Sequence, residues 1–513
     1  MDMQLTPEQQ QIVSSSESRI VVRAGAGAGK TATLIEYAKA RPNQKILYLA
    51  FNKSIAEEAK GKFPDNVEVR TTHSLAFGRY GKKYRHKLGE LRPFHLEKVL
   101  GLDSRRDADR IREVVQLLKA FLQSGQNSIE EMVPISKKDD KALQQKKRQL
   151  VEAANKVWEA MQDEQNTDVP MPHDGYLKLY QLSNPDLSPF YDIILLDEAQ
   201  DTNPCTLQIV SSQEKCGLVL VGDSNQNIYG FRGAVDAMKR LKGAKEYRLS
   251  RSFRCADRIA WLGSLVTATF KGDDFILRGV NGKGVVETSI KADGLVAYLY
   301  RTNSALLGQA IKLAKEGKKL YFVGGIDGYN LDELLDVWRV AYHRKHAHEI
   351  KDRYLKRFDS LDSLEAAAKE MHAQDILTRI SIVREYLAEL PRLLELVRKQ
   401  STDDPAATNI HLSTVHKAKG LEWPTVILGD DFPKLVDRHG RPYSRLLTTL
   451  EERLPRCLSP EEANVLYVAI TRAQSALQVP EDFLELVEFA KTKGGIPGIL
   501  KTIEGYKKSR KVY

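Results

Sequence analysis

Val21-Val22-Arg23-Ala24-Gly25-Ala26-Gly27-Ala28-Gly29-Lys30-Thr31 decides how this chain is read: an apolar strand runs into a glycine-rich turn that closes on Lys-Thr. A small residue, four free positions and then Gly29-Lys30-Thr31 form a phosphate cradle. Around Gly25, Gly27 and Gly29 bare backbone N–H groups can close on phosphate oxygens, which side chains would obstruct. The Lys30 ammonium reaches the outer phosphates, and the Thr31 hydroxyl is offered to Mg²⁺. Residues 31–40, with Leu34, Ile35 and Ala38 apolar, predict a helix whose positive N-terminal end points at the anion. A merely flexible Gly/Ala turn needs neither the strand before it nor the helix after it, so the stretch reads as a nucleotide site.

Working outward, residues 5–13 predict a short helix with Thr6 as N-cap and Pro7 at its first position. A strand over 45–50, a helix over 53–62 and a strand over 67–70 follow, the last reaching Thr71-Thr72-His73. Such alternation marks a doubly wound α/β domain, with ligands at the carboxyl ends of its strands. From about residue 75 to 182 strand runs vanish and charged helical segments replace them, including the basic and aromatic stretch 79–87. Apolar strand runs resume at 191–196 and 217–222, and a second α/β unit starts near Tyr247 with strands at 295–301, 319–323, 409–414 and 425–428. The plan is α/β with two cores, each interrupted by a helical insertion. The first core takes 1–75 and 183–246 with the insertion 76–182, and the second takes 247–330 and 401–490 with the insertion 331–400. A basic tail, 491–513, ends the chain.

A length of 513 residues suits about three domains. No apolar run approaches the roughly 20 residues of a membrane span, and the polar start Met1–Gln11 has no signal-peptide core. A cytoplasmic protein with no membrane partner is expected. Cys205, Cys216, Cys255 and Cys457 lie far apart, which argues against a disulfide framework or a cysteine metal site. The net charge of +10 is compatible with a polyanionic partner, spread thinly over the chain.

The remaining chemistry sits at strand ends. Asp197 and Glu198 follow a buried-strand run, where one carboxylate can hold Mg²⁺ and its neighbour can take a proton from attacking water. We assign Asp197 to the metal and Glu198 to the general base. The next strand ends in a segment where Gln226 stands to sense a γ-phosphate and Tyr229, Phe231 and Arg232 offer stacking and charge. Water attack needs positive charge at the transferring phosphoryl group, and Arg254 and Arg472 are the candidates for it. A true arginine finger contributes on the order of 10³ to 10⁵ in turnover.

In this order the motifs resemble the UvrD/Rep-like superfamily 1A DNA helicases: the glutamine helix, AGAGAGKT, Thr71-x-His73, LLDEAQD (195–201), VGDSNQNIYGFRGA (221–234), LSRSFR (249–254), LYRTN (299–303), STVHKAKGLEW (413–423) and NVLYVAITRA (464–473). Through AFNKSIAEEA (50–59), TTHSLAF (71–77) and the YVAITRA ending, the chain is most similar to the F-box DNA helicase branch, without an expected F-box segment. The resemblance implies two RecA-like P-loop motor domains that close on ATP with Mg²⁺ and step 3′ to 5′ along single-stranded DNA. It further implies unwinding of tailed duplex DNA by a monomeric basic unit, in settings such as DNA repair and recombination. Carried over by match, Gln9 would read adenine, Phe253 would stack on it and Glu422 would hold the ribose. Gln226, Arg254 and Arg472 would contact the γ-phosphate, while Phe51, Asn52, Thr71, His73, Tyr229, Phe231, Arg232 and His416 would touch DNA.

Three departures from the family stand out. Ala32 replaces an arginine that often follows Lys-Thr, the second insertion is short, and residues 473–480 do not read as the usual strand-separating hairpin. The missing hairpin keeps a second reading open, a single-strand translocase that displaces bound proteins. A third is a scaffold whose DNA binding is gated by nucleotide.

Overall fold

Short apolar runs in the first half of the chain assemble one six-stranded sheet. Its strands are β1 (Arg19–Ala24), β2 (Ile46–Ala50), β3 (Val67–Thr71), β4 (Ile193–Leu196), β5 (Gly217–Gly222) and β6 (Lys245–Leu249). They lie in the order β3-β2-β4-β5-β1-β6, and each pairing is parallel. Parallel strands bury both faces, so the central ones read as unbroken apolar runs: Ile193-Ile194-Leu195-Leu196 is buried throughout. This computed structural model describes residues 4–510 apart from 104, 105, 137, 229–235, 242, 292, 353, 371, 372 and 449–456.

The register fixes what meets at the carboxyl ends. Val22 pairs with Val221, and Leu196 pairs with Leu220, so β1, β5 and β4 finish side by side. The loops leaving them carry Gly25–Lys30, Asp223–Gln226 and Asp197–Glu198. Chain order reverses across these strands, which is where open α/β sheets place their ligands.

By contacts the chain divides into two units, the first running to Leu249 and the second beginning at Ser250, with Ala26–Ala28 grouped with the second. The first unit thus ends later than residue 246, because Lys245–Leu249 pairs with β1 as an edge strand. Inside this unit the helices Thr72–Arg79, Pro93–Leu100, Ala108–Gln123, Lys141–Gln162 and His173–Leu182 enclose a core of their own. Leu96, Leu118, Phe121, Ala154 and Met161 are buried there. His173–Leu182 packs on Thr72–Arg79 and on Pro204–Ser211, which ties the insertion to the loop after β4.

The second unit opens with two short paired strands, β7 (Arg251–Ser252) and β8 (Arg278–Gly279). Its main sheet comprises β9 (Val285–Glu287), β10 (Val296–Tyr300), β11 (Leu320–Phe322), β12 (Ser401–Thr402), β13 (Ile410–Thr414), β14 (Trp423–Leu428) and β15 (Ala473–Gln478). The order is β12-β11-β13-β10-β14-β15-β9, again parallel in each pairing. Helical segments fill most of 331–400, yet they share one apolar core with the sheet: Leu334, Val337, Val383 and Leu390 cluster with Leu306, Phe322 and Leu412. Residues 495–510, read from the sequence as tail, form a helix with Ile496, Ile499 and Ile503 buried, packed on helix Asp257–Lys271. Among the described residues no helix is long and apolar enough to cross a membrane.

Candidate nucleotide site and DNA-contact residues

Strand β1 ends at Ala24, and Gly29 caps the helix Lys30–Lys39 in the left-handed region at φ 75°. Gly27 has φ 68°, a second position that an L side chain would strain. Gly29 offers no side-chain cap, so the first turn keeps N–H groups for an anion. The helix starts one residue ahead of the expected 31–40, which puts Lys30 and Thr31 on its first turn.

Four sequence-assigned groups converge within the first unit. Lys30 Nζ lies 3.0 Å from Glu198 Oε1. The Thr31 hydroxyl donates to Asp197 Oδ2 at 3.2 Å, and the Glu198 N–H donates to Asp197 Oδ1 at 2.8 Å. Glu198 adopts a left-handed backbone, φ 50°, rare for a residue with a long side chain. That bend lets adjacent carboxylates take different partners.

Burial works to lower the Lys30 pKa, but the charges of Glu198, Asp197 and Asp223 outweigh it and hold the ammonium above its usual value. Burial, and then the charge of Glu198, pushes the Asp197 carboxyl up against the opposing pull of Lys30. A cation beside Asp197 would therefore relieve an existing electrostatic cost. Its partner Thr31 is also a hard oxygen donor, and no cluster of three His, Cys, Asp or Glu that could hold a metal occurs among the described residues. This donor set fits Mg²⁺, which takes one or two protein oxygens and completes its shell with water and phosphate.

Gln226 joins through a relay the sequence did not disclose. Its amide donates to Asp223 Oδ2 at 2.8 Å, and the Asp223 N–H donates to Gln200 Oε1 at 2.9 Å. The Gln200 amide donates in turn to Glu198 Oε2 at 2.6 Å. Gln200 is fully buried. Tyr48 is also fully buried, and its hydroxyl donates to Asp197 Oδ2 at 2.7 Å. The signal for Tyr48 was a polar atom in an otherwise apolar central strand, because a buried phenol needs a partner.

Other assigned residues are engaged elsewhere. Gln9 is buried, accepts from the Thr6 N–H at 2.9 Å and donates to Thr33 Oγ1 at 3.1 Å. Asn52 caps helix Lys53–Lys60 by accepting from the Ile55 N–H at 2.9 Å, and Phe51 beside it is exposed. Thr71 caps helix Thr72–Arg79, accepting from the Ser74 N–H at 3.1 Å. His73 lies 3.1 Å from Asp174, which also accepts from Gln123 at 3.0 Å. Tyr229, Phe231 and Arg232 lie outside the described residues.

Within the second unit Arg254 pairs with Glu422 at 2.5 Å, and Gln474 donates to the other carboxylate oxygen at 2.9 Å. Phe253 is exposed. Arg472 is fully buried, donating to the carbonyls of Val468 and Leu421, each at 3.0 Å. His416 sits in the one-turn helix Val415–Ala418 that follows β13.

Residues 5–243 match the model of the UvrD/REP helicase N-terminal domain. F-box DNA helicase 1 of Gallus gallus is 34% identical over an alignment covering 95% of this chain and 50% of that protein. F-box DNA helicase protein 1 of Schizosaccharomyces pombe is 30% identical, with 94% and 58% covered. ATP-dependent DNA helicase PcrA of Bacillus subtilis is 25% identical, with 66% and 53% covered. The chain spans about half the length of these curated relatives.

Proposed function

We propose that the protein is an ATP-dependent DNA helicase, on the premise that residues 5–243 match the model of the UvrD/REP helicase N-terminal domain. It hydrolyses ATP in response to single-stranded DNA, steps 3′ to 5′ and unwinds tailed duplexes as a monomeric unit. The observation that carries this reading is the convergence of Lys30, Thr31, Asp197 and Glu198 at neighbouring strand ends.

In this reading the backbone around Gly25, Gly27 and Gly29 receives the phosphates, and Lys30 exchanges Glu198 for a phosphate oxygen. Glu198, released, takes a proton from the water whose oxygen bonds to the γ-phosphorus as the bond to the β-phosphate oxygen breaks. Thr31 and Asp197 would hold Mg²⁺, which when bound neutralises charge on the phosphate oxygens. Gln226 is tied to the same base through Asp223 and Gln200. Arg254 and Arg472 stabilise the developing charge after leaving Glu422 and the Val468 and Leu421 carbonyls. Gln9 and Phe253 address adenine, and Glu422 addresses the ribose. Phe51, Asn52, Thr71, His73, His416, Tyr229, Phe231 and Arg232 track the DNA, where stacking is worth roughly 1–3 kcal/mol per base whatever the sequence. The two units act as RecA-like motors in a cytoplasmic protein suited to DNA repair and recombination.

Lys30→Ala should abolish DNA-stimulated ATP hydrolysis, measured as phosphate release with and without single-stranded DNA; undiminished turnover overturns the proposal. Unwinding of a 5′-tailed duplex but not a 3′-tailed one would overturn the polarity. A second reading, a translocase that strips bound proteins, is favoured by one observation. The chain after Arg472 runs directly into β15, a parallel strand between β14 and β9, where a strand-separating hairpin would stand. Displacement of a protein block without strand separation would select that reading.

A further inference from the structure

Tyr48 lies in the middle of β2, fully buried, in a run whose other members are Ile46, Leu47, Leu49 and Ala50. A phenol there brings a polar atom into an apolar layer and costs stability unless it is paired. Its backbone pairs with Leu195, two residues short of Asp197. From that position the ring spans the step to the end of β4, and its hydroxyl donates to Asp197 Oδ2 at 2.7 Å. Phe63 packs against the ring with centroids 4.5 Å apart.

Three donors surround the Asp197 carboxylate: Tyr48 and Thr31 on Oδ2, and the Glu198 N–H on Oδ1. Thr31 turns on its own side-chain rotor, and the Glu198 N–H belongs to a left-handed bend. Of the three, the phenol alone joins a rigid ring to a central strand, and its hydroxyl fixes a direction for Oδ2. We propose that Tyr48 is a positioning residue that aims Asp197 at the divalent cation. The inference rests on the nucleotide-site reading above. Groups that orient metal ligands from the second layer typically contribute 10- to 100-fold in metal affinity.

Mn²⁺ serves as the spectroscopic stand-in for Mg²⁺. Free Mn²⁺ is read by electron paramagnetic resonance while the full chain is titrated in the presence of ADP, with ADP affinity in EDTA measured in parallel. Tyr48→Phe keeps the ring and deletes the hydroxyl; Phe63→Leu loosens the same ring and keeps the hydroxyl. Tyr48→Phe should weaken Mn²⁺ binding at least tenfold while ADP affinity in EDTA stays at the wild-type value and the metal-free melting temperature falls only by what one lost hydrogen bond accounts for. Phe63→Leu should stay within about twofold for Mn²⁺. Equal Mn²⁺ affinity in Tyr48→Phe and wild type overturns the inference and leaves the nucleotide site standing. Equal losses in both variants, or a Tyr48→Phe chain with lowered ADP affinity in EDTA and a metal-free melting temperature lowered beyond one hydrogen bond's share, also overturn it, since packing would then explain the effect. A wild-type chain that binds neither ADP nor Mn²⁺ overturns the nucleotide-site reading and the inference together.

Discussion

Lys178 is fully buried in helix His173–Leu182. Its ammonium donates to the Ser124 and Gln126 carbonyls and to Gln181 Oε1, holding the turn that ends helix Ala108–Gln123. Burial lowers its pKa from 10.5 to about 8, against a weaker pull from the negative charge of Cys205 and Glu131. In the unfolded chain the proton is retained to the ordinary value, so between pH 8 and 10.5 the unfolded state binds more protons and this residue's contribution to stability rises with pH. Relative to Lys178→Met, the wild type should gain on the order of 3 kcal/mol across that window, measured by denaturant unfolding at stepped pH. A parallel pH dependence in the two chains would refute the assignment. Single residues of this kind were the least legible in the sequence. Asp197 and Glu198 were readable as a pair of acids, but the left-handed turn at Glu198 and its pairing with Lys30 depend on what the fold brings alongside. Tyr48 and Gln200 are not legible in the sequence because Tyr48 acts on distant Asp197, and Gln200 matters as the bridge from its neighbour Glu198 to distant Asp223.

Elements were far more legible, since hydrophobic periodicity and strand-end motifs report on neighbours in sequence. The strands that end in the glycine-rich turn, in Asp197-Glu198 and in Asp223–Gln226 fall within a few residues of expectation. The exceptions are edges: the expected boundary between 246 and 247 cuts through β6, and the expected basic tail 491–513 includes the helix Gly495–Arg510, because such ends gain their burial from tertiary partners. One junction between elements is unusually tight. A Cβ on Gly222, at the end of β5, would stand 2.4 Å from Gln200 Oε1 and 3.1 Å from the Ala199 nitrogen. Gly222→Ala should therefore push the loop after β4 aside, costing about 1–3 kcal/mol of stability and reducing ATP turnover more than nucleotide affinity. Thermal melting together with the split between kcat and KM would check it.

At the scale of the whole molecule, each unit is sewn together by residues far apart in sequence. Ile20 pairs with both Val219 and Lys245, and Val285 pairs with Ala476. During synthesis this imposes an order of events. Domains fold as units while the chain emerges, and long-range parallel pairing is slow because loop closure comes before its reward. The insertion helices draw most of their core from a continuous stretch, so they should become ordered while β1 still waits for both of its neighbours. Nascent chains arrested with residue 215 just outside the ribosome should resist protease across 93–182 and be cut within 19–50. Protection of both segments at that length would contradict the scheme. β1, which leads into the glycine-rich turn, therefore gains its two flanking strands only after Asp197, Glu198 and Gln226 have been made, and a chain cut short before residue 217 has neither of them.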